Sequence, residues 1–274
     1  MKSPRILITG ASGYIGRSLY SHLIDLEPVG VYFNSIITPP APNWIQADLR
    51  NDAEVSQLLQ HYQPDVLFHC AALPSPRINK ENPQLAEETN VGVTKNVINH
   101  VPKSTHLFFM STDKVLNGYD SDPTEDSAPE PITLHGHLKM QCENIISERH
   151  FKHHTLRFST VHGLGDHLSN SFIDKALINL MEGKKVYSFD NISRCYLRVG
   201  ELLDVIVSLL DDEHYGIYHL GSPLKSYYDR MRDLCEETGI EWRGNLLAAS
   251  GDILPKTQNL NVEKIKKLLN CTFT

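Results

Sequence analysis

The chain has 274 residues, 41% of them hydrophobic, with 26 basic and 33 acidic side chains and a formal net charge of −7. That size suits one large α/β unit or two linked lobes, and the apolar content is too high for general disorder. The acidic balance argues against a nucleic-acid partner, and no apolar run reaches the roughly 18–20 residues needed to span a bilayer.

The N-terminal apolar stretch Ile6-Leu7-Ile8 is too short for a secretory leader and runs straight into glycines, so a cytoplasmic protein without a membrane partner is expected. Five cysteines, at 70, 142, 195, 235 and 271, are odd in number with no close pair, which fits neither a disulfide framework nor a zinc site. Fourteen histidines are the one excess in the composition.

Residues 5–9 form a β-rich apolar run, after which Ile15, Leu19, Leu23 and Leu26 fall on one helical face. A second strand is expected over 29–33. Pro39-Pro40-Ala41-Pro42 reads as loop, because consecutive prolines remove donors and exclude a helix. Asp52 is placed to begin a helix carrying Val55, Leu58, Leu59 and Tyr62. A third strand follows over 65–72, one long helix over 83–101, and a fourth strand over 106–111. A loop rich in proline and acid, 117–131, leads to a helix over 134–149 and a strand over 155–161.

Strands separated by helices imply right-handed crossovers and a parallel, doubly wound sheet. Beyond His162 helices are expected over 171–182, 200–211 and 227–238, with β runs at 186–189 and 218–220 and a last helix after Asn261. The fold class is therefore α/β: a Rossmann-type domain over 1–162, and a smaller C-terminal substrate-binding lobe over 163–274 from which some segments return to the main sheet.

Thr9-Gly10-Ala11-Ser12-Gly13-Tyr14-Ile15-Gly16 lies between the first strand and the first helix. Glycine there permits a tight turn, backbone approach to a pyrophosphate, and close packing of helix on strand; the helix N-terminus then offers free N–H groups to the anion. A nicotinamide dinucleotide is the expected cofactor, held by Gly10, Ser12, Gly13, Tyr14, Ile15 and Gly16. An acidic residue about 20 positions past the motif selects NAD by binding the ribose 2′-hydroxyl. Here the stretch is Tyr32-Phe33-Asn34-Ser35, with no carboxylate, so the reading leans from NAD(H) towards NADP(H), with Asn34 beside the ribose, although no arginine follows to clamp the phosphate.

The sequence resembles the extended short-chain dehydrogenase/reductase superfamily, and within it the dTDP-4-dehydrorhamnose reductase family, which also includes the regulatory β subunit of methionine adenosyltransferase. Thr9–Gly16, Ala47-Asp48-Leu49, Asp65–Ala72, Asn90-Val91, Ser111-Thr112-Asp113, Pro123–Asp126, His135–Lys139 and Leu156–Ser159 carry the resemblance, with further matches at Gly216–His219 and Asn259–Asn261. It implies Asp48 and Leu49 by the adenine, Ala71 and Ala72 along the nucleotide, and Thr112 bonded to a substrate carbonyl. It also implies a Tyr proton donor at 135, with Lys139 four residues on to lower its pKa and hold the nicotinamide ribose. Position 135 is His. Lys114 and His162 likewise stand where the family usually keeps Tyr.

Histidine titrates near 6.5, so His135 starts as a competent acid at neutrality. Against this, imidazole is shorter than a phenol, misplacement by about 1 Å costs roughly 10²-fold, and Lys139 disfavours an imidazolium. Two outcomes stay open: a reductase using His135 or an ordered water, or a weak or silent site.

The resemblance implies NAD(P)H-dependent reduction of a 4-keto-6-deoxy sugar nucleotide by an oxidoreductase. The alternatives are a catalytically silent NAD(P)-binding regulatory subunit and, third, a sugar-nucleotide epimerase or dehydratase. Arg194 and Arg198, alternating in Ser193–Val199, are candidates for a substrate diphosphate or are surface residues. Arg157 is either core packing or a cofactor contact, and Asn90 reads as a structural hydrogen-bonding residue. His150-Phe151-Lys152-His153-His154 lacks the i, i+4 pair of a zinc hydrolase, so no metal is expected. A sugar nucleotide is the expected small-molecule partner; a second copy or another enzyme is the expected protein partner.

Overall fold

Ile6–Thr9 (β1) is apolar up to its last residue and buried on both faces, as a central parallel strand must be. Around it a computed structural model, which describes residues 3–34, 43–73, 80–163 and 171–274, builds one seven-stranded sheet. The predicted loop Pro39–Pro42 lies outside the described residues. The other sheet strands are Val29–Tyr32 (β2), Trp44–Gln46 (β3), Val66–His69 (β4), His106–Met110 (β5), His153–Phe158 (β6) and, from far down the chain, Gly216–Leu220. Their spatial order is 216–220, β6, β5, β4, β1, β2, β3, and every neighbouring pair is parallel. The direction of winding reverses between β1 and β4, where such sheets open a crevice at their carboxyl ends.

Helices Tyr14–His22 (α1), Asp52–Tyr62 (α2), Pro83–Glu87 (α3), Val93–His100 (α4) and Leu134–Arg149 (α5) belong to the first half. Their apolar faces create two cores, one on each side of the sheet. Leu19, Tyr20 and Leu23 pack with Ile6, Ile8 and Phe68 on one side; Val55, Leu59, Val97 and Ile146 pack with Leu7, Leu67 and Leu107 on the other. The single long helix expected over 83–101 is broken by a π-turn, Glu88–Gly92. The cause is Asn90: its amide donates to Ala86 O at 2.7 Å and accepts from Leu73 N at 3.2 Å, so the side chain takes up groups the helical ladder would otherwise use. Leu73 follows β4, and Asn90 thereby pins that strand end to the helix.

The second half adds Thr160–His162 (β7), Val186–Phe189 (β8), Ser193–Arg194 (β9), Tyr196–Arg198 (β10), the 216–220 sheet strand (β11), Lys225–Ser226 (β12), Leu246–Ala249 (β13) and Thr257–Gln258 (β14). Its helices are Phe172–Met181 (α6), Val199–Ser208 (α7), Tyr227–Thr238 (α8) and Glu263–Leu269 (α9). A third core, built from Ile173, Leu177, Tyr196, Met231 and Leu234, lies under α6 and α8. The strand expected over 155–161 is two: β6 stays in the main sheet, and β7 pairs with β10. No helix among the described residues is long and apolar enough to cross a membrane, and the five cysteines are free thiols.

Candidate active site

The turn between β1 and α1 is shaped by two glycines that no other residue replaces without movement. Gly10 has φ +65, and a Cβ there would sit 2.7 Å from Ala71 N and Cα; a Cβ on Gly16 would sit 2.3 Å from Gly10 O. The chain therefore passes close to the end of β4 while α1 points its N-terminus into the crevice. The cap of α1, Gly13, offers no side-chain oxygen, and the helix presents the positive end of its dipole to the crevice. Tyr14 fixes the helix from the other side, its hydroxyl donating to Gly163 O at 2.9 Å, while Gly163 N donates to the buried Asp174 carboxylate at 3.0 Å.

A cleft of about 910 Å³ runs along this edge of the sheet. Gly10, Ser12, Gly13, Tyr14, Ile15, Gly16, Asn34, Asp48, Leu49, Ala71, Ala72, Thr112, His135 and Lys139 all line it, so the predicted cofactor and reaction-centre residues share one wall. The glycine turn, with no room for a Cβ and a helix N-terminus behind it, fits a dinucleotide pyrophosphate.

One end of the cleft is bounded by Tyr32, Phe33 and Asn34 from β2 and by Asp48, Leu49 and Arg50 after β3. Asp48 accepts two near-parallel hydrogen bonds from Arg50, Nε to Oδ1 at 2.9 Å and Nη2 to Oδ2 at 2.6 Å. This guanidinium lowers the Asp48 pKa. Its Cζ stands 4.8 Å from the centroid of the Phe33 ring. Asp48 N donates to Glu54 Oε2 at 2.9 Å, which holds the loop against α2.

The other end holds Thr112, His135 and Lys139. Thr112 caps a short 3₁₀ turn, accepting from Lys114 N at 3.2 Å and donating to Asp113 Oδ1 at 3.1 Å. Thr112 lines the cleft two residues past the end of β5. Thr133 caps α5 by accepting from Gly136 N at 3.1 Å. That cap sets the first turn so that His135 and Lys139, four residues apart, share a face.

Lys139 is buried; its Nζ donates to Met110 O at 2.6 Å and stands 4.5 Å from the Phe109 ring centroid. Burial pushes its pKa down. His135 Nδ1 has no hydrogen-bond partner among the described residues. Burial first, and then the charge of Lys139, push the imidazole down to about 4. At neutral pH this ring is uncharged.

Arg194 and Arg198 are not brought to the cleft. The two arginines do not lie on one continuous strand: Cys195 separates β9 from β10. Arg194 is 3% exposed, and its guanidinium donates to Ser193 O at 2.7 Å, Lys256 O at 3.0 Å and Pro255 O at 2.9 Å, which closes the loop before β14. Arg198 lies at the surface with Glu237 and Thr274. Arg157 is core: it grips Glu143 through Nη2 at 2.7 Å and Nε at 3.0 Å, while Ser111 donates to the same carboxylate at 2.5 Å. No group of metal-ligating side chains occurs among the described residues. His150 and His153 bond backbone carbonyls instead, of Thr105 at 2.8 Å and His150 at 2.7 Å.

Residues 6–221 match the family model of the NAD-dependent epimerase/dehydratases. The chain belongs to that family. The rat methionine adenosyltransferase 2 subunit beta is 30% identical over 174 residues, 62% of this chain and 51% of the rat protein. The matched part thus spans about half the length of that curated relative. Among solved structures, the dTDP-4-dehydrorhamnose reductase of Bacillus anthracis, in complex with NADP, superposes with a TM-score of 0.85 at 23% identity, covering 100% of this chain and 94% of the reductase. The UDP-glucose 4-epimerase of Thermotoga maritima, with UDP-glucose, gives 0.81 at 18% identity, covering 96% and 91%. The fold is that of these reductases and epimerases.

For a member of the epimerase/dehydratase family, this chain carries one cleft residue that sequence reasoning passed over. Arg50 comes from the exit of β3 rather than of β2, where the Asp-x-Arg spacing lets its side chain fold back on Asp48 and Phe33.

Proposed function

We propose that this chain is a cytoplasmic protein that binds a nicotinamide dinucleotide, NADP(H) in preference to NAD(H), and that its ketone-reducing chemistry is silenced at the proton-donor position, so that it acts as the regulatory partner of another enzyme. A bound nicotinamide dinucleotide supplies or accepts hydride. The chain must supply the matching proton at the substrate oxygen. The observation that carries the silent reading is the state of His135: a half-buried imidazole beside the Lys139 ammonium, held neutral with a pKa of about 4. A neutral imidazole N–H is a far weaker acid than an imidazolium, and placing a second positive charge next to Lys139 is opposed by the same field. The names of the curated relatives make the remaining subunit of a methionine adenosyltransferase the first partner to test. Five free thiols fit a reducing compartment.

The second reading is reduction of a 4-keto-6-deoxy sugar nucleotide, and one observation favours it: Thr112, His135 and Lys139 line a common cleft with the glycine turn. Epimerase or dehydratase chemistry needs the same missing phenol and is third. Turnover of a dTDP-4-keto-6-deoxy sugar with NADPH separates them. The silent reading expects none from the wild type and recovery in His135→Tyr; turnover by the wild type that is lost in His135→Ala overturns it.

A further inference from the structure

Among the described residues that line the cleft, the Asp, Glu, Lys and Arg side chains are three: Asp48, Arg50 and Lys139. Lys139 is committed to Met110 O at the far end. The end formed by β2 and the β3 exit therefore has one cation, Arg50, and one anion already bound to it. We infer that Arg50 is the residue that selects the phosphorylated dinucleotide, by taking the phosphate that a 2′-phosphoadenosine carries on its ribose. The inference rests on the dinucleotide reading of the cleft and sharpens it to a residue.

Three features of the chain lead there. β2 ends in Tyr32-Phe33-Asn34 and offers no carboxylate for a free ribose 2′-hydroxyl, the usual signal for the unphosphorylated cofactor. The one carboxylate at this end, Asp48, has both oxygens engaged by Arg50 Nε and Nη2, so it is held away from that role. The guanidinium is also pre-set. Asp48 grips one edge and Phe33 stands 4.8 Å from its Cζ, while Asn96 Nδ2 donates to Leu49 O at 3.0 Å and Arg50 O at 3.1 Å, fixing the backbone from α4. Nη1 has no acceptor among the described residues, which leaves an N–H pair for a phosphate oxygen. A planar donor already fixed on two sides loses little freedom on meeting a phosphate, and guanidinium–phosphate contacts are strong, directional and salt-sensitive.

The test is calorimetric titration of the purified protein with NADPH and NADH, and with the fragments 2′,5′-ADP and ADP, for wild type and Arg50→Met, which keeps most of the apolar stem. Expected is binding of NADPH at least 10-fold tighter than NADH in the wild type, the same order for 2′,5′-ADP over ADP, and loss of most of that ratio in Arg50→Met, with NADPH and 2′,5′-ADP the ligands that weaken. Equal wild-type affinity for NADPH and NADH overturns the inference while leaving the cofactor reading intact. So does a ratio that survives in Arg50→Met. Absence of binding by all four ligands sinks the cofactor reading itself. Circular dichroism of Arg50→Met, expected to match the wild type, separates a lost contact from a lost fold.

Discussion

Acid should unfold this protein well before its carboxylates are protonated, because its interior is stocked with histidines that cannot take up a proton. His69, His162 and His219 are each at most 2% exposed, and burial pushes each from 6.5 down to about 3. The surroundings explain why. His162 Nε2 accepts from Arg230 Nη2 at 2.8 Å and His219 Nε2 faces Arg157 Nη1 at 3.4 Å, so a proton on either ring would break a contact and set two cations together. His69 lies between the hydroxyls of Thr9 and Thr94 at 2.9 and 3.1 Å, both satisfied by a neutral ring. A base with a depressed folded pKa is protonated only in the unfolded chain over the interval between the two values, so stability falls as pH drops below 6.5. From pH 7 to 5 each such group removes about 1.9 kcal/mol, or about 6 kcal/mol for the three, against a total of roughly 5–15 kcal/mol for a folded domain. Urea unfolding at fixed ionic strength across pH 7.5 to 5 should show the midpoint falling steeply, with at least about three protons taken up on unfolding near pH 5, since His135 and His154, pushed to about 4, add to the three. His162→Gln, whose amide oxygen can accept from Arg230, should reduce the uptake by one. A midpoint that is flat between pH 6.5 and 5 would refute the reasoning, since it would mean that these rings are protonated in the folded state as readily as in the unfolded chain.

Other outcomes can be checked independently. Gly16→Ala puts a methyl 2.3 Å from Gly10 O; dinucleotide affinity by calorimetry should fall at least 10-fold, because the turn and the helix start must move apart. Glu143→Gln leaves the buried Arg157 guanidinium without its counter-charge and should cost about 3–5 kcal/mol in urea unfolding. Arg194→Met unties the carbonyls of residues 193, 255 and 256 and should lower stability by roughly 1–3 kcal/mol. Its NADPH affinity should equal that of the wild type, whereas a selective loss of nucleotide binding would return this residue to the ligand site.

What the sequence made legible followed from local physics. Residues 134–149 and 227–238 read as helices, and both run over those residues, since each begins at a hydroxyl cap, Thr133 and Ser226. β1 and its glycine turn were readable for the same reason: each feature needs only its neighbours. β3 was not. It has three residues, is half-buried at the sheet edge, and follows prolines, so it has no periodicity to detect. The surroundings of the arginines were hidden by distance along the chain. Arg194 on β9 resembles a ligand-binding residue until the carbonyls about 60 positions later close around it. His135 lay between these cases: its identity was plain in the sequence, but its protonation depends on burial and on Lys139, which only the packed helix supplies.

β11 joins the exposed side of β6 through five registered positions, Gly216 to Leu220 against His154 to Phe158. The last strand of the first half is therefore not an edge in the intact molecule. A fragment ending near residue 162 would leave a row of unpaired N–H and C=O groups on β6, a strand whose six side chains are all buried in the whole protein. Such an edge is an open template for another chain. The segment that returns as β11 thus closes an edge that would otherwise invite self-association, and the two halves should melt as one unit and be expressed as one.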